Sequence, residues 1–356
     1  MKKFKVAIDI SPLNDGNSVR GVGYYTKNLV EALQKEIKIN PDYKNYQIDL
    51  ISDSSIDLKN YSLIHYPYFD PFKLTLPSTS KAFIVTCHDL IPRAFKKHFP
   101  VGLKGELKWL IQKHRLQKSS YIICPSHSAK YQILDEINYP HEQIYTTYEA
   151  ADSSYKKITD QKILRKIKDK YQLPSKFVFF LGDINWNKNI PTLVKACLNL
   201  KYPLVIAGSA AVKKVPDHPW TKDILWLQSQ KSPLIHLLGF VPDEDLPALF
   251  NLATLYCQPS YSEGFGLPLV QAMQSGTPVC YSEDSCLPEI MDFNGEYFDP
   301  YSQSSLETSL KKMWSDVKLR QKYSQLGLQH AKTFSWKSTA LQTLSLYRLV
   351  EFDEKK

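Results

Sequence analysis

The chain has 356 residues, 43% hydrophobic and 23% charged, with a formal net charge of +9. That length exceeds one ordinary core and suits two, and the mixed composition excludes a disordered or fibrous chain. No uncharged apolar stretch reaches the roughly eighteen residues a membrane-spanning helix needs, so none is expected.

The opening MKKFKVAIDISPL starts basic and then alternates around Asp9. It reads as a first strand at 4–10, not as a signal peptide. A glycine-bearing turn, RGVGYYT at 20–26, leads to a helix over 24–36. Gly21 and Gly23 would let the backbone approach a ligand closely, although glycine at a tight turn is common. Further strands are predicted at 46–52, 62–68, 82–89, 120–126 and 144–150, with helices at 105–117 and 128–137. CHDLIP at 87–92 places His88 and Asp89 where a strand leaves the sheet, either as a local cap or as functional groups.

Residues 95–118 interleave lysine, histidine and arginine with Phe, Trp and Leu. A solvated helix face and an anionic membrane surface are both open readings. No recognised nucleic-acid-binding motif accompanies the charge, so nucleic acid ranks below both. The polar, lysine-rich stretch 153–175 separates the first half from a second.

The second half repeats the alternation, with strands at 177–183, 203–209, 235–241, 253–260, 278–283 and 295–300. Helices are predicted at 190–200, 244–253, 267–276 and 305–316, and a last helix at 336–352. Buried strands between helices imply parallel sheets covered on both faces, two α/β domains in tandem with a cleft at their carboxyl ends.

In FLGDINWNKN (180–189), Lys188 opens a helix, where the helix dipole disfavours a cation unless an anion lies between them. EGFGLPLVQ (263–271) has Gly264 and Gly266 for close approach and Pro268 for the first helical position. The helix start is an anion site, and the unpaired Glu263 beside it suits sugar hydroxyls. Asp243-Glu244-Asp245 spells a metal-binding D-x-D but reads as helix capping. No cluster has metal-ligand spacing. Six cysteines, at 87, 124, 197, 257, 280 and 286, form no C-x-x-C and read as reduced, buried thiols of a cytosolic protein.

Taken together, PSYSEGFGLPLVQAMQSGTPV (259–279), LGFVPDEDLPALF (238–250), FLGDINWNKN, CHDLIP and RGVGYYT resemble, in order and spacing, the family 4 retaining glycosyltransferases (glycosyltransferase group 1) of GT-B fold. The resemblance runs nearly end to end. It implies an α/β chain with two Rossmann-like, doubly wound parallel-sheet domains facing a central cleft. The domains would be 1–152 on the acceptor side and 153–334 for the nucleotide-sugar, with a closing helix, 335–356, crossing back onto the first.

The resemblance also implies a reaction. A hexose would move from a nucleotide-sugar, of GDP-mannose or UDP-hexose class, to an acceptor hydroxyl with retention and no required metal or other cofactor. Glu263 matches the first glutamate of the family's E-x7-E motif, near the donor sugar hydroxyls. Lys188 matches the lysine that neutralises the pyrophosphate, and His88 the histidine near the transferred sugar. Gly264, Phe265, Gly266 and Leu267 would present backbone to sugar or phosphate, and Gly21, Val22 and Gly23 would lie over the phosphates. Phe240 and Val241 would flank the base.

Two departures stand out. The second glutamate of E-x7-E is Gln271, whose uncharged amide grips ribose more weakly. The slots near the lysine that often hold arginine carry Asp183 and Asn187, leaving Arg20, Lys213 or Lys214 to supply a second cation. Two alternatives therefore stay open: a donor-binding, non-catalytic subunit, and another GT-B enzyme such as a nucleotide-sugar epimerase. The acceptor would be a sugar, a lipid-linked sugar or a polysaccharide end. The place would be the cytoplasm, or the inner face of the cell membrane through 95–118.

Overall fold

The computed structural model describes residues 3–18, 20–52, 57–212 and 220–353. The chain divides into two compact units: Met1–Glu149 with Ser335–Lys356, and Ala150–Phe334.

The first unit contains β1 (Phe4–Asp9), α1 (Gly21–Ile39), β2 (Tyr46–Ile51), β3 (Leu63–Tyr66), β4 (Phe83–Thr86), α2 (Ile91–Ala94), α3 (Gly102–Leu116), β5 (Tyr121–Cys124), α4 (His127–Glu136) and β6 (Ile144–Thr146). Its six strands form one sheet in the order β2-β1-β3-β4-β5-β6, and every pairing is parallel. Side chains alternate between two apolar layers, as the period-2 pleat requires. Ala7, Ile64, Val85 and Ile122 pack with Trp109 and Leu116 of α3 and Ile133 of α4. On the other face Val6, Leu63, Ile84 and Ile123 pack with Leu29 and Leu33 of α1.

The second unit contains α5 (Gln161–Lys170), β7 (Val178–Leu181), α6 (Ile190–Leu200), β8 (Leu204–Ala207), α7 (Thr221–Gln228), β9 (Ile235–Gly239), α8 (Leu246–Leu252), β10 (Leu255–Gln258), α9 (Leu267–Gln274), β11 (Val279–Ser282), α10 (Leu287–Met291), β12 (Glu296–Phe298), α11 (Gln303–Ser315) and α12 (Val317–His330). Its sheet runs β12-β11-β10-β7-β8-β9, again parallel. Chain order thus reverses between β7 and β10. In open α/β sheets the crevice beyond such a switch point is where ligands bind.

The stretch 153–175, read as a polar separator, is structured. It contains α5, whose Ile167 is buried, and Tyr155 lies edge-on to the buried Phe250 of α8. All six cysteines are buried thiols. Among the described residues, no helix is long and apolar enough to cross a membrane.

The last helix, α13 (Trp336–Asp353), belongs to the first unit. Leu344, Tyr347 and Val350 complete the layer on the α1 side of the sheet. A buried polar relay adds direction to that contact. His65 of β3 bonds the Tyr347 hydroxyl through Nδ1 (2.7 Å) and the Thr86 hydroxyl through Nε2 (2.9 Å). Thr86 in turn meets the Tyr25 hydroxyl at 3.2 Å.

Burial, with the nearby His88 adding to it, depresses the His65 pKa from 6.5 to about 3. The folded chain therefore keeps this ring neutral while the unfolded chain protonates it below pH 6.5. Its contribution is complete above that pH and is lost as pH falls toward 3. The slope approaches one proton, about 1.4 kcal/mol per pH unit. We expect His65→Gln to flatten the acid limb of a denaturant-stability profile by close to one proton. An unchanged limb would show that His65 is not the group responsible.

Candidate active site

The switch point of the second sheet brings two loops together. The loop after β7 carries Trp186, Asn187 and Lys188 in a single 3-10 turn, with Asn189 capping α6. The loop after β10 carries Ser260, Tyr261, Ser262 and Glu263. Asn187 fastens them: its side-chain amide donates to the Ser262 carbonyl at 2.9 Å, and its own carbonyl accepts from the Tyr261 N–H at 2.8 Å. Trp186 stacks on Tyr261, and Tyr261 on Tyr301, with ring centroids 5.0 Å apart in both pairs.

At the centre the Lys188 ammonium donates to both Glu263 carboxylate oxygens, at 2.8 and 2.7 Å. Glu263 Oε1 also accepts from Gln258 Nε2 at 2.7 Å and Ser260 Oγ at 2.6 Å. The Glu263 N–H donates to Ser285 Oγ at 3.1 Å. One expectation is corrected here: Glu263 is not unpaired. Lys188 has an anion beside it, the protein's own carboxylate. Lys188 also lies in the turn before α6, one residue ahead of its cap, and does not open the helix. The ammonium keeps one of its three N–H donors beyond the two that meet Glu263.

Glu263 is followed by Gly264, Phe265, Gly266 and then α9, which begins at Leu267, so Pro268 is its second helical residue and not its first. Gly266 has φ +84°, and a Cβ there would lie 2.9 Å from Leu287 Cδ2, so this cap requires glycine. The Phe265 ring is buried against Phe334, leaving the backbone as what this residue offers outward. The first-turn N–H groups of α9 have no carbonyl one turn back within the helix, so the loop keeps a positive end. Gln271, one turn into α9, is buried, and its Oε1 has no hydrogen-bond partner among the described residues. Phe240 and Val241 follow β9, two strands from β7 and so about 10 Å away across the sheet. Phe240 is exposed and Val241 buried.

In the first unit, His88 follows β4. Its Nδ1 meets Glu149 Oε1 at 3.2 Å and its Nε2 meets the Pro67 carbonyl at 3.1 Å. The Tyr25 ring stands edge-on, 4.7 Å between centroids. Burial works against the charged ring, but the Glu149 carboxylate, helped by the Pro67 carbonyl and Asp89, outweighs it and raises the pKa. With an acceptor at each nitrogen, imidazolium is the favoured form. This stabilisation is present below pH 6.5 and is lost as pH rises through the raised value.

Gly21, Val22 and Gly23 form the first turn of α1, not the expected loop ahead of it. A Cβ on Gly23 would lie 2.5 Å from the Asn17 carbonyl oxygen, so the close approach there is to the chain's own turn; Gly21 faces open space. Arg20 is exposed at the cap of α1. Lys213 and Lys214 lie outside the described residues. Asp245 occupies the cap position of α8 but makes no capping bond. Its carboxylate instead pairs with Lys170 at 2.5 Å and Tyr171 at 2.6 Å. Gln258, Ser260 and Glu149 escaped the sequence reading. The first two lie within five residues of Glu263 in QPSYSE, which was the available signal.

Residues 162–330 match the family model of glycosyl transferases group 1. The O-antigen chain mannosyltransferase B of Escherichia coli is 29% identical over 306 residues, covering 83% of this chain and 76% of that protein. The serotype-specific mannosyltransferase WbdA of Escherichia coli is 27% identical, covering 76% of this chain and 34% of that longer protein. The sucrose-phosphate synthase structure from Thermosynechococcus elongatus superposes with a TM-score of 0.75 at 17% identity, covering 99% of this chain and 100% of that one. Residues 162–330 are thus a group 1 glycosyltransferase region, and the chain has the GT-B fold.

Proposed function

We propose that the chain transfers a hexose, mannose from a GDP-sugar first among the candidates, to an acceptor hydroxyl in glycan or lipopolysaccharide synthesis, with retention and without a metal. The observation that carries this reading is the Lys188–Glu263 pair at the β7/β10 switch point. The mannosyltransferase relatives support the sugar. A UDP-hexose is the second donor class.

Each residue has a chemical task in this reading. Departure of a nucleoside diphosphate builds negative charge, which fixed cations and N–H dipoles stabilise. Lys188 supplies its remaining N–H donor to the pyrophosphate, and the positive end of α9, from Gly264 to Leu267, supplies the dipole. Glu263, already held by Gln258 and Ser260, uses Oε2 to accept a donor sugar hydroxyl. The orphaned, buried Gln271 Oε1 accepts from ribose, and the backbone at Phe240 and Val241 flanks the base. For His88 of the first unit, held as a fixed cation with both nitrogens engaged, and for Gly21, Val22 and Gly23 in the first turn of α1, we keep the roles at sugar and phosphate that the family resemblance implies. Retention follows from attack on the face the leaving group vacates, the leaving phosphate oxygen taking the acceptor's proton. No carboxylate nucleophile is required. The acceptor is a lipid-linked or polysaccharide sugar, and the chain works in the cytoplasm at the inner face of the membrane.

The deciding experiment is a thermal-shift panel of UDP, GDP, ADP and their sugars against the native chain and Gln271→Glu. One nucleotide-sugar should raise the melting temperature, and glutamate at 271 should enlarge the shift, equivalent to about a tenfold gain in affinity. If no nucleotide shifts either protein, the donor site is misassigned. Donor binding without transfer to any glycan acceptor would favour the non-catalytic subunit, the reading that Gln271 motivates.

A further inference from the structure

The turn that carries Lys188 also starts a column of rings. Trp186 lies on Tyr261 and Tyr261 on Tyr301, with ring planes inclined by 27° and 21°. The three rings come from three loops, after β7, β10 and β12. Asn187 ties the first loop to the second. Asn189, held in the left-handed region at φ +52°, donates its side-chain amide to the Pro300 carbonyl at 3.0 Å and so ties the first to the third. These bonds already join the loops, so a column that ends in an exposed ring is more than the fold needs.

Tyr301 is that last ring. With one face against Tyr261 it is still 66% exposed, which leaves its other face to solvent. Two carboxylates stand at its rim. Asp299 accepts from the Tyr301 N–H at 2.9 Å, and Asp284 faces the Tyr301 hydroxyl. A carboxylate has about four acceptor positions, so both can take further hydroxyls. A pyranose is the complement of such a surface: one face of C–H groups for the ring, and a rim of hydroxyls for the carboxylates.

The column also has a direction. β12 is the edge strand of the second sheet, on the far side of the β7/β10 switch point from β9. The base is assigned to Phe240 and Val241, after β9, so the rings extend the site away from the nucleotide. A nucleotide is the poorer occupant on charge as well, because Asp284 and Asp299 would repel its phosphates.

We propose that Tyr301, at the end of the Trp186–Tyr261 stack, forms with Asp284 and Asp299 a subsite for one sugar unit of a neutral acceptor glycan. The stack is preorganised by the loop bonds, so binding orders little of the protein. The inference rests on the reading that the acceptor is a glycan, and is independent of which donor is used.

The test is saturation-transfer NMR on the full chain with neutral manno-, gluco- and galacto-oligosaccharides, titrated in the absence of nucleotide. At least one series should receive saturation, its C–H protons most strongly. Tyr301→Ala should weaken the apparent affinity about tenfold and Asp284→Asn/Asp299→Asn severalfold, while Tyr301→Trp should keep it. The asparagine pair leaves the stack intact, and it decides if alanine unfolds the chain. The nucleotide-sugar thermal shift should be unchanged in all three variants, which separates failure here from failure of the donor site. Saturation of no oligosaccharide by the native chain overturns the proposal. Undiminished affinity in Tyr301→Ala also overturns it, and a lowered melting temperature in that variant would then leave the ring as a staple between loops. Loss of the nucleotide-sugar shift in Tyr301→Ala would assign the ring to the donor instead.

Discussion

Lys188→Ala should lower kcat by about 10²–10³ at saturating nucleotide-sugar while leaving a folded chain. The rate effect is that of removing one preorganised donor from a leaving group that gathers charge in the transition state. The structural effect is smaller. Glu263 would keep Gln258 and Ser260 as donors but lose its cation. Because the Lys188 side chain retains 20% exposure, water can replace part of what is lost. The cost should be about 2 kcal/mol, or roughly 4–8 °C in melting temperature for a unit of this size. Melting curves run beside single-turnover kinetics separate the two effects. Lys188→Arg should recover part of the rate, since a cation returns without the point geometry of an ammonium. A Lys188→Ala enzyme within threefold of native kcat would remove Lys188 from the chemistry and leave it as a partner of Glu263.

That pair also shows where sequence reasoning reaches and where it stops. Each of the twelve strands among the described residues could be read in advance, most of them because buried strands are apolar runs with turn residues at each end. Helices α2, α7, α10 and α12 could not. The single buried residue of α12 is Gly327, and α10 is five residues long, so neither shows an apolar period. Helix α5 does carry an apolar period, in Ile163, Leu164 and Ile167, but its many lysines make the stretch read as a separator, and Ile167 is its one buried side chain. Strand order was legible only as a class. That β10 lies beside β7, and so sets Glu263 against Lys188, depends on pairings between segments 75 residues apart. A glutamate that looks unpaired in EGFGLP is therefore paired in space. The same holds for His88, whose partner Glu149 comes 61 residues later. Residue types that suit the chemistry were visible; their mutual saturation was not.

Gly208→Ala should be the most damaging single-methyl change in the second unit, although no motif marks the position. A Cβ there would lie 2.0 Å from the Gly182 carbonyl oxygen and 3.0 Å from its carbon, both backbone atoms. Neither strand end can yield cheaply. The Gly182 N–H donates to the Ala207 carbonyl at 2.9 Å, and the Gly208 N–H donates to the Gly239 carbonyl at 2.8 Å. Relief of the clash must break one of these or push β7 away from β8. Overpacking with the loss of one strand-end bond should cost about 3–5 kcal/mol. The segment that must move, Gly182–Asp183, leads into the turn carrying Lys188, so whatever fraction folds should also transfer sugar poorly. Gly21→Ala is the matched control: open space surrounds that position, and alanine in the first turn of α1 should be neutral or stabilising by a few tenths of a kcal/mol. Urea melts of the two variants should differ by several kcal/mol. If Gly208→Ala melted like the native chain, the close crossing of the β7 and β8 exits would not be what holds the Lys188 loop in place.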